Sequence, residues 1–277
     1  STLIAATLAA PAPDTASLPT SLDLTAIRAI PAQYDGRWPP LDTVARDVVE
    51  SVTGEVFYDG RDPVLWLLAW TFDPATWQHA PLIPITNAEL RAELQLAAEH
   101  ERFSYAELIR HEPLLDLIDS LADIGDRKPD ALEAKVGEIN EKLTRLHQTL
   151  GGQLIRPIPN PDDALGAWQT IARAEPNRKE TTLAESAWAA MRDAFLADDA
   201  AAFATASDQL ITALNALPAA HRPAPKLIDT ELRYNRLRPF RLAWLVMVVG
   251  AVLGTTALLV PRLSLIHISE PTRLRRI

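Results

Sequence analysis

Histidine is the first residue type of this chain that could do chemistry, because an imidazole can ligate a metal ion or transfer a proton. The histidines before residue 263 are His79, His100, His111, His147 and His221. They are scattered, and none is paired at the short spacing that the ligands of a metal site show. We expect each to be a surface or hydrogen-bonding residue, so no metal ligand or cofactor ligand is predicted.

Adjacent carboxylates are the second candidates, and they occur as Asp162 with Asp163 and as Asp198 with Asp199. General acid–base catalysis needs carboxyl groups that converge in a cleft with separated pKa values, which adjacency does not supply. Both pairs stand at predicted helix starts, where aspartate caps free backbone N–H groups. The chain has no cysteine, which excludes thiol catalysis, thiolate metal sites and disulfides. No catalytic residue is predicted.

The charge of the chain argues against nucleic acid as a partner. The formal net charge is −9 over 277 residues, whereas binding to phosphate backbones needs clustered Lys and Arg. Arg273, Arg275 and Arg276 all lie in the last segment, so the rest of the chain is more acidic still. A chain of this length can bury a sizeable core as one large domain or two smaller ones.

The elements that must position these residues are predicted to be mainly helical. The 22 prolines favour short elements with defined breaks. Residues 26–32 and 81–85 are strand candidates that could form a minor two-stranded patch, and Asp-Gly predicts a turn at 34–37. Apolar residues on one face predict a helix over 41–52, which Gly54 can end.

Two Asp-Pro pairs mark further helix starts, because Asp caps a helix and proline fits its first position. Asp62 and Pro63 open a helix over 64–72 that is apolar almost all round. Such a helix should be buried. Asp73 and Pro74 repeat the same start signal for a following helix.

The clearest helix is predicted over 130–150, where apolar residues alternate at spacings of three and four. This seam consists of Leu132, Val136, Ile139, Leu143, Leu146 and Leu150. It lasts less than about three heptads, so packing on its own domain is favoured over an intermolecular coiled coil. Further helices are predicted over 87–96, 104–109, 114–124, 162–174, 181–196 and 199–217, with the last two forming a hairpin.

The two ends of the chain carry signals of another kind. The uncharged run 242–260 has the length that a transmembrane helix needs, on the order of 20 residues, within a juxtamembrane and transmembrane segment over 226–262. Residues 263–277 resemble the translation of a sequencing adapter and are excluded from the fold. Residues 1–20 are interpreted as a truncated signal peptide, a membrane exit or a linker. Since the chain also begins without Met, we interpret it as a fragment.

Several strings in the chain resemble one protein family. They are DGRWPPLDTVAR from Asp35, SVTG from Ser51, YDGRDP from Tyr58, FDP from Phe72, PLI from Pro81, FSY from Phe103, ELRYNRL from Glu231 and PFR from Pro239, together with Trp66, Trp70 and Trp77. These resemble large cytochrome c biogenesis proteins of the CcsA/ResC type. Those are system II haem-handling proteins, often fused to a CcsB/ResB-like part. The middle of the chain, about 126–220, shows only generic helix.

The resemblance implies what the intact protein would do. The family carries haem across a membrane and presents it to reduced apocytochrome c, where thioether bonds attach it to a Cys-x-x-Cys-His motif. Haem is therefore implied for the intact protein, while no cofactor is expected in this fragment. The implied partners are the membrane, apocytochrome c and a CcsB/ResB-like part. The region present resembles the extracytoplasmic domain, which places it on the periplasmic side of the inner membrane.

The charges beside the predicted span favour the opposite membrane orientation. Arg233, Arg236, Arg238 and Arg241 precede it, and the positive-inside rule would place that side in the cytoplasm. We follow the resemblance, because large domains translocate largely regardless of charge. The same arginines could instead meet anionic lipid headgroups.

Two segments within the resemblance have both a functional and a structural interpretation. Residues 66–73 share Trp, aromatic and Asp spacing with the family's haem-presenting loop, but Leu67 stands where Gly is expected and Phe72 is the third aromatic. A buried aromatic helix followed by Asp73 as a cap explains the same residues. Residues 35–43 could form a partner-contact loop or a turn with a Pro-led helix start. We favour the structural interpretation for both.

We therefore expect a mainly α extracytoplasmic domain over 21–225, with minor β near the amino terminus, followed by one transmembrane helix. The predicted function is a non-catalytic scaffold or docking domain of a cytochrome c synthase (haem lyase) system. The alternative is a membrane-anchored helical interaction or sensor module unrelated to haem. A soluble hydrolase is less favoured, because no nucleophile motif occurs.

Overall fold

The computed structural model describes residues 18–125, 127–160, 163, 166–173, 179–217, 222–237 and 239–259. These residues form a mainly helical protein with one small antiparallel sheet. The chain divides into two compact units, Ser1–Leu232 and Arg233–Ile277. The adapter-like tail, His221 and the greater part of the segment 1–20 lie outside the described residues.

Helices account for most of the described residues. In chain order they are α1 Thr25–Arg28, α2 Leu41–Thr53, α3 Pro63–Phe72, α4 Pro74–Trp77, α5 Ala88–Glu93, α6 Tyr105–Leu108, α7 Glu112–Ser120, α8 Ala131–Leu150, α9 Lys179–Leu196, α10 Ala200–Ala216, α11 Pro225–Leu237 and α12 Pro239–Leu259. Short 3-10 turns lie at Tyr58–Gly60, Leu121–Ile124 and Ile171–Arg173. The mainly helical character predicted from the sequence is confirmed.

Side-chain caps begin several helices at the residues that the sequence predicts. The carboxylate of Asp62 accepts from the N–H of Val64 at 2.9 Å at the start of α3. Asp130 and Glu133 form a reciprocal capping box at the start of α8. Asp199 accepts from two backbone N–H groups at the start of α10. These contacts span only two or three residues, so local sequence is enough to predict them.

The α3 helix is the centre of the core, because its residues are buried almost all round. It packs against α2, α8 and α9. Trp66 and Trp70 are fully buried, and the ring of Trp66 meets that of Trp77 edge-on at 5.1 Å between centroids. The seam of α8 packs onto α2, α3 and α7, so the predicted packing within the domain is confirmed.

The strand predicted over 26–32 is wrong. Thr25–Arg28 is the short helix α1, whose buried residue is Ile27, and Pro31 further along makes an isolated antiparallel bridge with Pro40. The segment 81–85 does contain strand β1, Ile83–Pro84. Its antiparallel partner is β2, Arg102–Phe103, which is too short to show an alternating pattern in the sequence.

The helix predicted over 162–174 also differs from the structure. Among the described residues of this segment, Gln169 bridges Ile158 as an isolated antiparallel pair, and a 3-10 turn follows at Ile171–Arg173. Asp162 lies outside the described residues. The buried side chain of Trp168 draws this segment onto the body of the domain, which is a tertiary effect that helix signals in the sequence do not contain.

The transmembrane helix predicted over 242–260 is wrong. In the described part of the chain, no helix is both long enough and apolar enough to cross a membrane. The expected inner-membrane location, with a periplasmic domain, is therefore contradicted as well.

Candidate functional site

The turn at 34–37 lies at the start of the strings that carry the family resemblance. The backbone N–H of Tyr34 donates to the carbonyl of Arg37 at 2.9 Å, and the reverse bond is 3.0 Å long. Asp35 and Gly36 have φ values of 45° and 75°. Two successive residues with positive φ form a tight hairpin turn that favours Asp-Gly. The predicted turn is thus confirmed, and its tip is exposed.

This turn forms one wall of a cleft of about 480 Å³. We call it the turn cleft; α8 forms the opposite wall. Its lining is mostly polar and consists of Gln33, Tyr34, Asp35, Gly36, Asn140, Glu141, Thr144, Arg145, Gln148, Leu154 and Arg156. Hydroxyl, amide, carboxylate and guanidinium groups therefore face a space that is open to solvent.

Arg145 joins the two walls of the turn cleft. Its guanidinium donates to the hydroxyl of Tyr34, lies 5.4 Å from the centre of the Tyr34 ring and is 3.7 Å from a carboxylate oxygen of Asp35. Burial raises the pKa of Tyr34 to about 12, although the charge of Arg145 acts in the opposite direction. Tyr34 therefore stays a neutral hydroxyl at physiological pH, able to accept from Arg145.

Gln33 fixes the base of the turn, a role for which no signal exists in the sequence. Its backbone N–H donates to the carbonyl of Arg156 at 2.9 Å. Its side-chain oxygen accepts from the N–H of Trp168 at 2.7 Å. Because these partners lie more than a hundred residues away in sequence, only the folded chain reveals the contacts.

The outer side of the turn contacts the second string that carries the resemblance. Arg37 pairs with Glu231 at 3.2 Å, and the hydroxyl of Thr43 donates to the same carboxylate at 2.7 Å. Arg37 also approaches Asp47 at 3.9 Å. Two distant parts of the proposed family signature therefore meet at one place, beside the turn cleft.

A second cluster of charges lies where α1, α2 and α3 meet, and we call it the arginine junction. It consists of Arg28, Asp42, Arg46 and Asp62. Arg28 donates to Asp42 at 2.6 Å and also to Asp62, while Arg46 donates to the second oxygen of Asp42 at 2.6 Å. The side chain of Asp42 is only 4% exposed. Each carboxylate here has an arginine partner.

The pKa values at the arginine junction follow from this pairing. Burial acts to raise the pKa of Asp42, but hydrogen bonds and charge from Arg46 and Arg28 outweigh it, so the pKa is lowered. Burial acts to lower the pKa of Arg28, but Asp62 and Asp42 raise it overall. Asp62 also caps α3. The junction is therefore a structural tie between three helices, rather than a site with a free charge.

The candidate histidines do not converge. His79, His100 and His147 are exposed and His111 is half-buried, while the ring nitrogen of His147 lies 2.7 Å from the hydroxyl of Tyr105. Within the described ranges, no group of three His, Asp or Glu side chains has the arrangement of a metal site.

The other sequence candidates have structural roles. Trp66 and Trp70 are core residues with no exposed surface, as the structural interpretation of 66–73 predicted, and Asp73 caps α4. Asp199 caps α10, and Asp163 is exposed. None of these side chains lines the turn cleft.

Neither a scan against protein-family models nor a search of curated proteins found a match to this sequence. The resemblance to the CcsA/ResC type thus rests on the short strings between Asp35 and Arg241 alone and stays a prediction.

Proposed function

We propose that this chain is a docking domain of a cytochrome c biogenesis protein of the CcsA/ResC type, and that a segment of apocytochrome c binds in its turn cleft. The observation that carries the proposal is the position of the family-like strings. The string that begins at Asp35 forms the turn beside the cleft, and the string that begins at Glu231 supports this turn from behind through Arg37 and Thr43.

The chemistry of the turn cleft suits an extended polypeptide. Amide groups of Asn140 and Gln148 can pair with peptide N–H and C=O groups. The cleft is open to solvent, so an extended chain can reach its lining. Its walls are fixed to each other through Arg145, which keeps the entropic cost of binding low.

The charge of the protein favours a basic partner segment. The net charge is −9, and Asp35 and Glu141 are exposed at the cleft. Complementary charge across an interface raises the association rate and suppresses wrong partners. The role proposed for this chain is binding, because the resemblance assigns haem chemistry to another portion of the intact protein.

The proposal can be tested with the full chain and a fluorescein-labelled apocytochrome c peptide that contains a reduced Cys-x-x-Cys-His motif. Fluorescence anisotropy measures the affinity. The double variant Asp35→Asn with Glu141→Gln should bind the peptide about three- to tenfold more weakly, since it removes two charges at the rim. Asn is chosen because it tolerates the positive φ of Asp35.

Glu138→Gln is the matched control, because Glu138 is also exposed on α8 but does not line the turn cleft. It should leave the affinity unchanged. Absence of peptide binding, or an equal loss in the control, would contradict the proposal. Equal affinity for a scrambled peptide would instead favour an interaction module unrelated to haem.

A further inference from the structure

A second cavity, of about 520 Å³, is lined in part by α1. We call it the apolar pocket. Helices α1, α10 and α11 and the segment 222–225 enclose it. Its walls are mainly apolar and consist of Ala26, Ala29, Ile30, Pro31, Pro157, Ile211, Leu214, Asn215, Arg222, Pro223, Ala224, Pro225, Ile228 and Asp229. The volume and lining match those of small-molecule sites, which are mostly apolar with few polar groups.

Arg222 is the polar group that distinguishes this pocket. One guanidinium nitrogen, Nη1, donates to the side-chain oxygen of Asn215 at 3.2 Å. The other, Nη2, is buried and has no hydrogen-bond partner among the described residues. Burial lowers the pKa of Arg222 from its ordinary value. Asp229, which also lines the pocket, has an exposed side chain.

An unpaired guanidinium N–H in such a place costs free energy. A buried donor without an acceptor loses its hydration and gains nothing in return, a penalty that is larger for a charged group. Asn215 fixes the orientation of the guanidinium. Nη2 has almost no accessible surface, so the pocket wall must shift slightly before an acceptor can reach it. A bound acceptor, negatively charged and close to apolar surface, would remove the penalty.

We propose that the apolar pocket binds a small amphipathic monocarboxylate, whose carboxylate accepts from Nη2 of Arg222 and whose aliphatic body packs on Ile30, Ile211 and Leu214. A carboxylate suits the planar guanidinium, and a charge-assisted hydrogen bond is about twice as strong as a neutral one. Phosphate fits less well, because apolar walls cannot replace the hydration of its remaining oxygens. The proposal is independent of the docking function of the turn cleft.

The test uses isothermal titration calorimetry of the full chain with decanoate and, for comparison, with 1-decanol, which has the same chain without the charge. Decanoate should bind, and decanol should bind at least tenfold more weakly. Arg222→Met keeps the aliphatic stem of the side chain but removes the guanidinium. It should weaken decanoate binding at least tenfold and change decanol binding by less than twofold, because only the carboxylate uses Nη2.

Two further variants complete the test. Arg110→Met removes an exposed arginine outside the pocket and should leave decanoate binding unchanged. Ala29→Phe places a ring in the pocket and should abolish binding of both ligands.

Three results would overturn the proposal. They are no decanoate binding to the unaltered chain, equal affinity for decanoate and decanol, and decanoate binding that survives Arg222→Met. The comparison of decanoate with decanol needs no variant, so it tests the proposal even if a variant fails to fold.

Discussion

The arginine junction and the apolar pocket both involve α1, but their arginines are in opposite electrostatic situations. Arg28 donates to Asp42 and Asp62, and the resulting pairs tie three helices together. Arg222 has a neutral amide as one partner, and within the described part of the chain its buried Nη2 has none. Arg28 therefore serves the fold, whereas we propose that the buried N–H of Arg222 serves an outside acceptor.

The largest effect is expected from breaking the arginine junction. Asp42→Asn removes the carboxylate that Arg28 and Arg46 share, so that Arg28 keeps only Asp62 of its two carboxylate contacts at the junction. Removal of one member of a buried ion pair typically destabilises by 3–5 kcal/mol, so we expect the free energy of unfolding to fall by about 3 kcal/mol. Urea denaturation followed by circular dichroism measures it.

Asp47→Asn is the control for that experiment, because Asp47 lies on the same helix with a side chain that is 47% exposed. Its loss should change the free energy of unfolding by less than about 1 kcal/mol. Equal destabilisation by the two variants would show that the junction has no special structural role.

The Asp42 carboxylate should also make the stability of the protein depend on pH. The pKa of Asp42 is lowered in the folded protein, so its contribution is fully present above its unfolded pKa of about 3.9. It is lost as the pH falls through the lower, folded value. Thermal melts between pH 6 and pH 2 should show a smaller loss of stability for Asp42→Asn than for the unaltered chain. Parallel curves would contradict the assigned pairing.

The smallest effect is expected at Arg222. Arg222→Met removes a guanidinium whose burial is not offset by a carboxylate, so the free energy of unfolding without ligand should change by less than about 1 kcal/mol, in the stabilising direction. The same urea experiment measures it. Destabilisation by as much as Asp42→Asn would mean that Arg222 serves the fold, which would erase the contrast between the two regions.

The parts of this fold that sequence predicts are those set by neighbouring residues. Asp62, Asp130 and Asp199 cap helices through contacts two or three residues away, and Gly54 ends α2 with a φ of 80°. The apolar periodicity of α8 likewise predicted its buried face, because a helix of this length repeats the pattern several times.

The parts that sequence did not predict depend on distant contacts. Arg28 meets Asp62 across 34 residues, and Gln33 meets Trp168 across 135 residues. The two-residue strand β2 is too short for any periodic signal. The transmembrane helix predicted over 242–260 was wrong, because no helix in the described part of the chain is both long and apolar enough to cross a membrane.

Neither concave site was predicted as a pocket. The turn cleft combines a turn whose chemistry is visible in the sequence with a face of α8 whose polar residues look like ordinary solvent-exposed positions. The apolar pocket joins α1 with residues near 211–229, so the burial of Nη2 of Arg222 arises only in the folded chain.

One melting experiment tests most directly whether Arg222 provides an unpaired donor for an outside acceptor. The unaltered chain and Arg222→Met are melted without and with 1 mM decanoate. Without ligand, the variant should melt at the same or a higher temperature. With decanoate, the unaltered chain should gain stability through ligand binding and melt higher than the variant, so that their order reverses. An equal shift in both proteins, or no shift in either, would contradict the account.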